Sequence, residues 1–300
     1  MSTTTTGLAA RGKFLERGDT VADRFTVEGL LAPSLVGETY LASDGKAERA
    51  VRIHVLPTHL LAEGNAKERF QAELRSASQL THRNIVTTYG TGRISDDALY
   101  ITTEHVEGES LRALMDERAA AGRSFSLRGA YNIVAHLCNA LTFAHESRIH
   151  GSLCPQSVVV SASGRVKVEH FPISRLLYSV AAMRNAMPDA SRSYWAPEIR
   201  AGSTVITHRA DIYSLGMLLC ELLTGRIAGG PTESVCRTRP DVPAEVDSIV
   251  ARCLDPEPAN RFKNAGDLKE ELASLLEKTV EQEGQEAVDE GTGLDIEIDV

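Results

Sequence analysis

Two kinds of apolar periodicity divide this sequence, and their order along the chain is the strongest constraint on its fold. Loose period-two alternation, typical of half-buried strands, marks five segments at 25–31, 37–42, 49–56, 85–92 and 98–104. Only one helix-like segment, 66–80, interrupts them, with Phe70, Leu74 and Ala77 on one face. Beyond His105 the periodic segments are mostly helical. Strands first and helices afterwards predict an α+β chain with a small β part and a larger helical part.

Helix boundaries in the second part are marked by capping residues. Ser110 and Ser126 each precede a helical apolar pattern, so both are predicted N-caps. The longest apolar window, 212–223, is interrupted by Glu221 and is shorter than the ~18 residues that a membrane span needs. We therefore predict no membrane segment in this chain.

Charge and cysteine content narrow the class of protein. The net charge is −9, but the stretch 280–300 carries eight acids and no Lys or Arg, so residues 1–279 are nearly neutral. A nearly neutral folded part gives no electrostatic case for nucleic-acid binding. The five cysteines form no C-x-x-C pair, which favours a reduced, cytoplasmic location.

Both ends of the chain differ in composition from its middle. Residues 1–22 are rich in Thr, Gly and charge and show no periodicity, so we predict a disordered N-terminal arm. Residues 279–300 are predicted to form an acidic flexible tail. The ordered domain is then expected over 23–278.

Four short motifs stand in that domain. They are H-G-S-L-C-P-Q-S at 150–157, H-F-P at 170–172, A-P-E at 196–198 and D-I-Y-S-L-G at 211–216. Together with Arg261 they resemble the protein kinase family, whose pattern is H-R-D-L-x-x-x-N, D-F-G and A-P-E.

The resemblance covers about residues 24–278, and within the family the chain is similar to the bacterial, eukaryotic-like serine/threonine kinases. It implies an α+β, two-lobe protein-kinase-like fold. The small lobe, 23–105, would hold a five-stranded antiparallel sheet with one helix. The large lobe, 106–278, would be mainly helical.

The motifs depart from the family's pattern at the positions that carry chemistry. By alignment, Ser152 replaces the catalytic aspartate and Cys154 the usual lysine of that loop. Ser157 and His170 replace the asparagine and aspartate that bind magnesium. A hydroxyl cannot accept a substrate proton as a carboxylate does, and neither replacement offers the anionic oxygen that magnesium prefers. No metal site is therefore predicted.

The positions that would form the nucleotide cleft are also altered. Arg52 stands where the family has an alanine that packs over adenine, so it would fill that space or direct its charge along the cleft towards Glu73. His54 replaces the phosphate-binding lysine, and we predict that it pairs with Glu73. The positions of this vestigial cleft are Gly37, Arg52, His54, Glu73, Thr103, Glu104 and Val106.

Three structural residues match the family. Glu198 and Arg261 correspond to an ion pair that holds the segment after A-P-E, and we predict that they lie within salt-bridge distance. Asp211 corresponds to the aspartate that holds the backbone of the catalytic loop. These three are predicted as structural anchors.

The altered motifs lead to a functional prediction of a catalytically inactive, kinase-like domain, a pseudokinase. It would act as a signalling scaffold or allosteric binding module with a protein partner, and no cofactor is expected. The alternative is an unorthodox ATP-dependent serine/threonine protein kinase, or another nucleotide-dependent transferase, which would use ATP and magnesium. The sequence is also compatible with an adaptor acting through the acidic tail, and with a transition-metal site formed by His54, Glu73, His170 and Cys154.

Overall fold

Six strands form one antiparallel sheet in the first of the two units into which the chain divides. The computed structural model describes residues 14–33, 35–229 and 234–289. The strands are β1 Thr20–Val21, β2 Phe25–Pro33, β3 Glu38–Asp44, β4 Arg49–Pro57, β5 Thr88–Ser95 and β6 Ala98–Glu104. Their spatial order is β1-β2-β3-β4-β6-β5. The predicted antiparallel sheet is present, with six strands rather than five.

The extra strand lies in the region predicted as a disordered arm. Thr20 pairs with Thr26, and Val21 with Phe25. Leu15 and Val21 are buried in the apolar core of the sheet although no periodicity marks them. The predicted arm is therefore wrong over 14–22, and residues 1–13 lie outside the described part.

Helices complete this unit. Helix α1 spans Ala66–Ala77 and buries the predicted face, which includes Phe70 and Leu74. The unit comprises the described part of 1–108 together with 161–163 and 168–189, so the chain divides at Gly108 rather than at His105. Helices α4 Ser174–Ser179 and α5 Ala181–Ala186 thus belong to it.

The second unit comprises 109–160, 164–167 and the described part of 190–300. Its short strands are β7 Glu109–Ser110, β8 Val158–Val160 and β9 Val166–Val168, the last residue of which belongs to the first unit. Its helices are α2 Leu111–Ala120, α3 Leu127–Ala144, α7 Pro197–Arg200, α8 Arg209–Thr224, α9 Val235–Thr238, α10 Glu245–Cys253 and α11 Ala265–Asp289. Helix α6, Asp189–Arg192, begins at the last residue of the first unit. Ser110 and Ser126 cap α2 and α3 as predicted, each accepting a hydrogen bond from a backbone N–H.

Helix α8 lies at the centre of the second unit, and every residue from Ala210 to Leu223 is buried. Glu221 interrupts its apolar sequence because its carboxylate accepts hydrogen bonds from Tyr194 and from Arg112, the latter at 2.7 Å. Buried carboxylates require such partners.

The last helix, α11, continues to Asp289. Residues 279–289 of the predicted flexible tail are thus helical, and residues 290–300 lie outside the described part. Acidic residues with good helix propensity extend a helix that the buried Leu268 and Leu272 have already nucleated. Within the described ranges, no helix is both long and apolar enough to cross a membrane.

Candidate functional site

Strand β4 places Arg52 and His54 on the same face of the sheet, because side chains two residues apart in a strand share a face. His54 Nδ1 lies 3.0 Å from Thr39 Oγ1, and its Nε2 lies 3.0 Å from Thr103 Oγ1. Burial, reinforced by the charge of Arg52, lowers the pKa of His54 to about 3. The ring is therefore neutral near pH 7 and supplies no positive charge for a phosphate.

The predicted pair between His54 and Glu73 is not formed. Glu73 Oε1 lies instead 3.2 Å from Nη1 of Arg175 on α4. On the same two helices, Arg69 donates a hydrogen bond to Ser179. The prediction is wrong because His54 carries no charge to attract a carboxylate, whereas Arg175 is permanently cationic.

Arg52 forms the main ion pair of this site. Its Nη1 donates to the Glu169 carboxylate, and its Nη2 donates to the Val106 carbonyl at 2.9 Å. The side chains are 11% and 7% exposed. Burial raises the pKa of Glu169, and the charge of Arg52 opposes that rise. Arg52 thus directs its charge towards Glu169 rather than Glu73.

One donor of Arg52 has no partner. Its Nε is buried and has no hydrogen-bond acceptor among the described residues, although both Nη atoms are bonded. A buried N–H without an acceptor is costly, and such groups are rare in folded proteins.

His170 directly follows Glu169 and has a φ of 69°. The left-handed region is uncommon for residues with a Cβ, although His is among those enriched there. The His170 ring centroid lies 5.7 Å from that of His54, at an interplanar angle of 66°. The next side chain, Phe171, is buried. The position aligned with a metal-binding aspartate therefore presents an imidazole beside a second imidazole.

The loop 150–157 belongs to the second unit and is held by Asp211. Its carboxylate accepts hydrogen bonds from the backbone N–H of His150 at 2.9 Å and of Gly151 at 2.6 Å, and lies 2.8 Å from His145 Nε2. Burial alone would raise the pKa of Asp211, but His145 and the backbone donors lower it overall. The carboxylate stays ionised and fixes the backbone of the loop.

The side chains of this loop are directed inward. Ser152, Cys154 and Ser157 are all fully buried. The Ser157 hydroxyl donates to the Cys154 carbonyl at 2.8 Å and accepts from the Cys154 N–H at 3.0 Å. Because it already serves both groups, it is committed to the local turn.

Cys154 and Ser191 are both buried in the second unit. Burial raises the pKa of the Cys154 thiol to about 11, so it is neutral near pH 7. The Ser191 hydroxyl has no hydrogen-bond partner in the described part of the chain, and its proximity opposes the rise in the pKa of the thiol. The contact is a packing contact between two small polar side chains.

The predicted anchor pair lies in the second unit. Arg261 Nη1 and Nη2 each lie 2.8 Å from one carboxylate oxygen of Glu198, a bidentate arrangement. Arg261 is fully enclosed, whereas Glu198 remains 13% exposed. Its geometry is that of a strong, directional ion pair.

The remaining predicted cleft positions are structural in the first unit. Gly37 has a φ of 88°, and a Cβ there would lie 2.0 Å from the Val55 carbonyl oxygen, so only glycine fits. Glu104 accepts a hydrogen bond from the Thr87 N–H at 3.2 Å. Thr103 is committed to His54, and the Val106 carbonyl to Arg52.

The residues aligned with the family's metal ligands do not fit magnesium, because Ser157 is committed to its turn and His170 offers nitrogen. Nor do the described residues contain a cluster of three or more His, Cys, Asp or Glu side chains suited to a metal. Among the first-unit residues of the predicted transition-metal site, His54 and His170 lie together, and Glu73 pairs with Arg175. The carboxylate nearest in sequence to His170 is Glu169.

Comparison with known proteins identifies the family. Residues 35–286 match the family described as protein kinase domain. The chain belongs to the protein kinase family. It is 30% identical over 275 residues to serine/threonine-protein kinase PrkC of Bacillus subtilis, covering 87% of this chain and 42% of that protein. It is 31% identical over 271 residues to serine/threonine-protein kinase PknB of Mycobacterium leprae, covering 84% of this chain and 43% of that protein.

Solved structures agree with the family. The kinase domain of PknI from Mycobacterium tuberculosis matches with a TM-score of 0.73 and 26% identity, covering 87% of this chain and 99% of that domain. The predicted α+β, two-lobe kinase fold is thereby confirmed, with its antiparallel-sheet lobe and its helical lobe. This chain spans less than half the length of the curated relatives above.

These relatives contradict the functional prediction. They are named serine/threonine-protein kinases, which favours an enzyme over an inactive signalling scaffold. The pseudokinase prediction rests on six substituted positions, whereas the similarity extends over most of the chain. The comparisons therefore favour the enzyme alternative.

Sequence reasoning missed three residues of this site. Glu169 and Arg175 each form an ion pair with a predicted cleft residue of the first unit, and His145 supports Asp211 in the second unit. The only sequence signal for Glu169 is an acidic residue at the end of a valine-rich strand, directly before His170. That signal is weak, because charged residues at strand ends are usually solvated.

Proposed function

We propose that this chain is the kinase domain of an ATP-dependent serine/threonine protein kinase whose phosphate-binding residues are unorthodox. The observation that supports it most is the 30% identity over 275 residues to a protein named as such a kinase. Because the chain spans only 42% of that relative, the activity of the whole protein is part of the proposal. A protein with an accessible Ser or Thr is the substrate that this activity requires.

Two internal features are consistent with the proposal. Asp211 holds the backbone of the loop 150–157, and the pair of Glu198 and Arg261 holds the segment after A-P-E. Phosphoryl transfer depends mainly on positioning and on neutralising charge, and a protein contributes little covalent chemistry. A maintained scaffold is therefore the first requirement of such an enzyme.

The aligned positions determine how fast this kinase should be. Ser152 stands in place of the general base, and the loss of general acid–base catalysis costs roughly 10²- to 10⁴-fold in rate. We therefore propose slow turnover relative to kinases that carry the aspartate. Positioning of donor and acceptor would supply most of the remaining acceleration.

The decisive experiment is phosphate transfer from γ-labelled ATP to a Ser/Thr-rich protein by the purified chain. We expect slow, magnesium-dependent incorporation of labelled phosphate, with phosphoserine or phosphothreonine in the digest of the substrate. The transfer activity should elute together with the chain on a sizing column. Co-elution separates it from a trace contaminating kinase. Absence of both incorporation and nucleotide binding at millimolar ATP and magnesium would contradict the proposal.

A further inference from the structure

The buried pair of Arg52 and Glu169 has the two charges that the aligned site lacks. His54 supplies no cation and His170 no carboxylate, yet a cation lies two residues before the first and a carboxylate one residue before the second. Arg52 shares the sheet face of His54. Both lost charges therefore have a substitute in the same unit.

The chemistry of each substitute suits a phosphate bound with a metal. Guanidinium binds phosphate oxygens through parallel N–H donors, and it remains charged at any physiological pH. Carboxylate oxygen is the ligand that magnesium prefers. Arg52 also has a spare donor, since its buried Nε has no acceptor in the described part of the chain.

From these observations we propose that Arg52 and Glu169 together bind a magnesium–nucleoside triphosphate, Arg52 through the phosphate oxygens and Glu169 through the metal. This inference rests on the proposed kinase function and names the residues that serve it. In the absence of nucleotide, the two side chains neutralise each other, and Arg52 also bonds the Val106 carbonyl.

Exchange of partners is energetically reasonable because it leaves no buried charge uncompensated. Breaking a buried ion pair on one side is costly when the other charge stays unpaired. Here the guanidinium would exchange a carboxylate for phosphate, and the carboxylate would exchange a guanidinium for a divalent cation.

The pair also predicts weak apparent binding. Nucleotide can bind only to those protein molecules in which the ion pair between Arg52 and Glu169 has opened. The apparent affinity for nucleotide therefore falls in proportion to the fraction of open molecules. A neutral apolar replacement of both side chains would not restore affinity, because it removes the phosphate and metal contacts as well.

The test compares three ligands by thermal melting and equilibrium titration of the purified chain. They are ATP with magnesium, ATP with EDTA, and adenosine with magnesium. For the parent chain we expect stabilisation by ATP with magnesium, less with EDTA, and least with adenosine. Arg52→Met should lower the affinity for ATP roughly 10- to 100-fold and leave the affinity for adenosine unchanged, since a charge-assisted hydrogen bond contributes about that factor.

Glu169→Gln should remove the magnesium dependence of ATP binding, whereas Glu169→Asp should keep it. The double variant Arg52→Met/Glu169→Gln buries no unpaired charge, so it tests binding if a single variant fails to fold. Asp44→Asn is the matched control, since Asp44 is buried against Arg24 at 2.7 Å in the same unit. It should keep every ligand effect.

Two outcomes would overturn the inference alone while the parent chain binds and transfers phosphate. One is unchanged magnesium dependence in Glu169→Gln and in the double variant. The other is unchanged or tighter ATP binding in Arg52→Met, which would make the pair only an obstruction. A parent chain that binds no nucleotide would overturn both the inference and the proposed function.

Discussion

Replacing Arg261 by alanine tests the anchor of the helical unit. The Arg261 side chain is fully enclosed and donates to the Glu198 carboxylate through both Nη atoms at 2.8 Å. Its Nε donates to the Asp255 carbonyl at 2.8 Å, and Nη1 also donates to the Arg209 carbonyl at 2.9 Å. One side chain thus joins two segments that are distant in sequence, around Glu198 and Arg209, to the neighbouring turn at Asp255.

The magnitude follows from what alanine would leave behind. Removing one partner of a buried ion pair costs about 3–5 kcal/mol, because the remaining charge stays partly buried and unpaired. The carbonyl acceptors that lose a donor add to this cost, although such terms are not additive. Against a total stability of about 5–15 kcal/mol, Arg261→Ala should destabilise severely. At roughly 2–4 °C per kcal/mol for a domain of this size, the melting temperature should fall by at least about 6 °C.

Trp195 provides the assay. It is the only tryptophan of the chain, it is buried, and it lies in the same unit as Arg261. Urea and thermal unfolding followed by its fluorescence therefore report on the unit that the substitution affects. Arg261→Lys, which keeps the charge but loses the bidentate geometry, should fall between the parent chain and Arg261→Ala.

A double-mutant cycle separates the ion pair from packing. Arg261→Met/Glu198→Gln removes both charges, so it should be clearly less destabilised than the sum of its two single changes. The exposed Arg93, paired with Asp96, supplies a control whose replacement should leave the melting temperature unchanged. An unchanged melting temperature in Arg261→Ala, or strictly additive single changes, would refute the anchor role.

Three further predictions concern other buried positions. The pKa of His54 is about 3 in the folded chain and higher in the unfolded chain, so only the unfolded state binds the extra proton below about pH 6.5. The free energy of unfolding should therefore fall by at most about 2 kcal/mol between pH 7 and 5 in urea titrations, and a His54→Asn variant with the same pH dependence would contradict this. Gly37→Ala should lower stability by at least about 1–2 kcal/mol, because φ is positive and the Val55 carbonyl oxygen would lie 2.0 Å from the new Cβ. The control is Gly164→Ala, which is also at positive φ but has open space around it, and which should lower stability less. Asp211→Asn should cost about 1.5–3 kcal/mol through weakened charge-assisted bonds to the loop backbone, and a melting curve like that of the parent would argue against it.

Local patterns predicted the regular elements well and the chain ends poorly. Strand β6 spans 98–104 as predicted, and the caps at Ser110 and Ser126 are present, because alternation and capping are encoded within a few residues. Strand β1 has only two residues and no period to detect, and Leu15 is buried only because the sheet offers it a core. The extension of α11 to Asp289 depends on a helix already docked by its apolar stripe. Both misses require tertiary context that composition does not carry.

The candidate site shows a different limit of sequence reasoning. Alignment assigns each chemical role to one position, so the neutral His54 and the imidazole of His170 count as two lost charges. Folding, however, brings Arg52 into contact with Glu169, 117 residues away in sequence, and no local pattern predicts that contact. A phosphate or a metal ion responds to where charge lies in space rather than to the residue number that supplies it. A change of function therefore cannot be inferred from substituted motif positions until the neighbouring side chains on the same strand face have been placed.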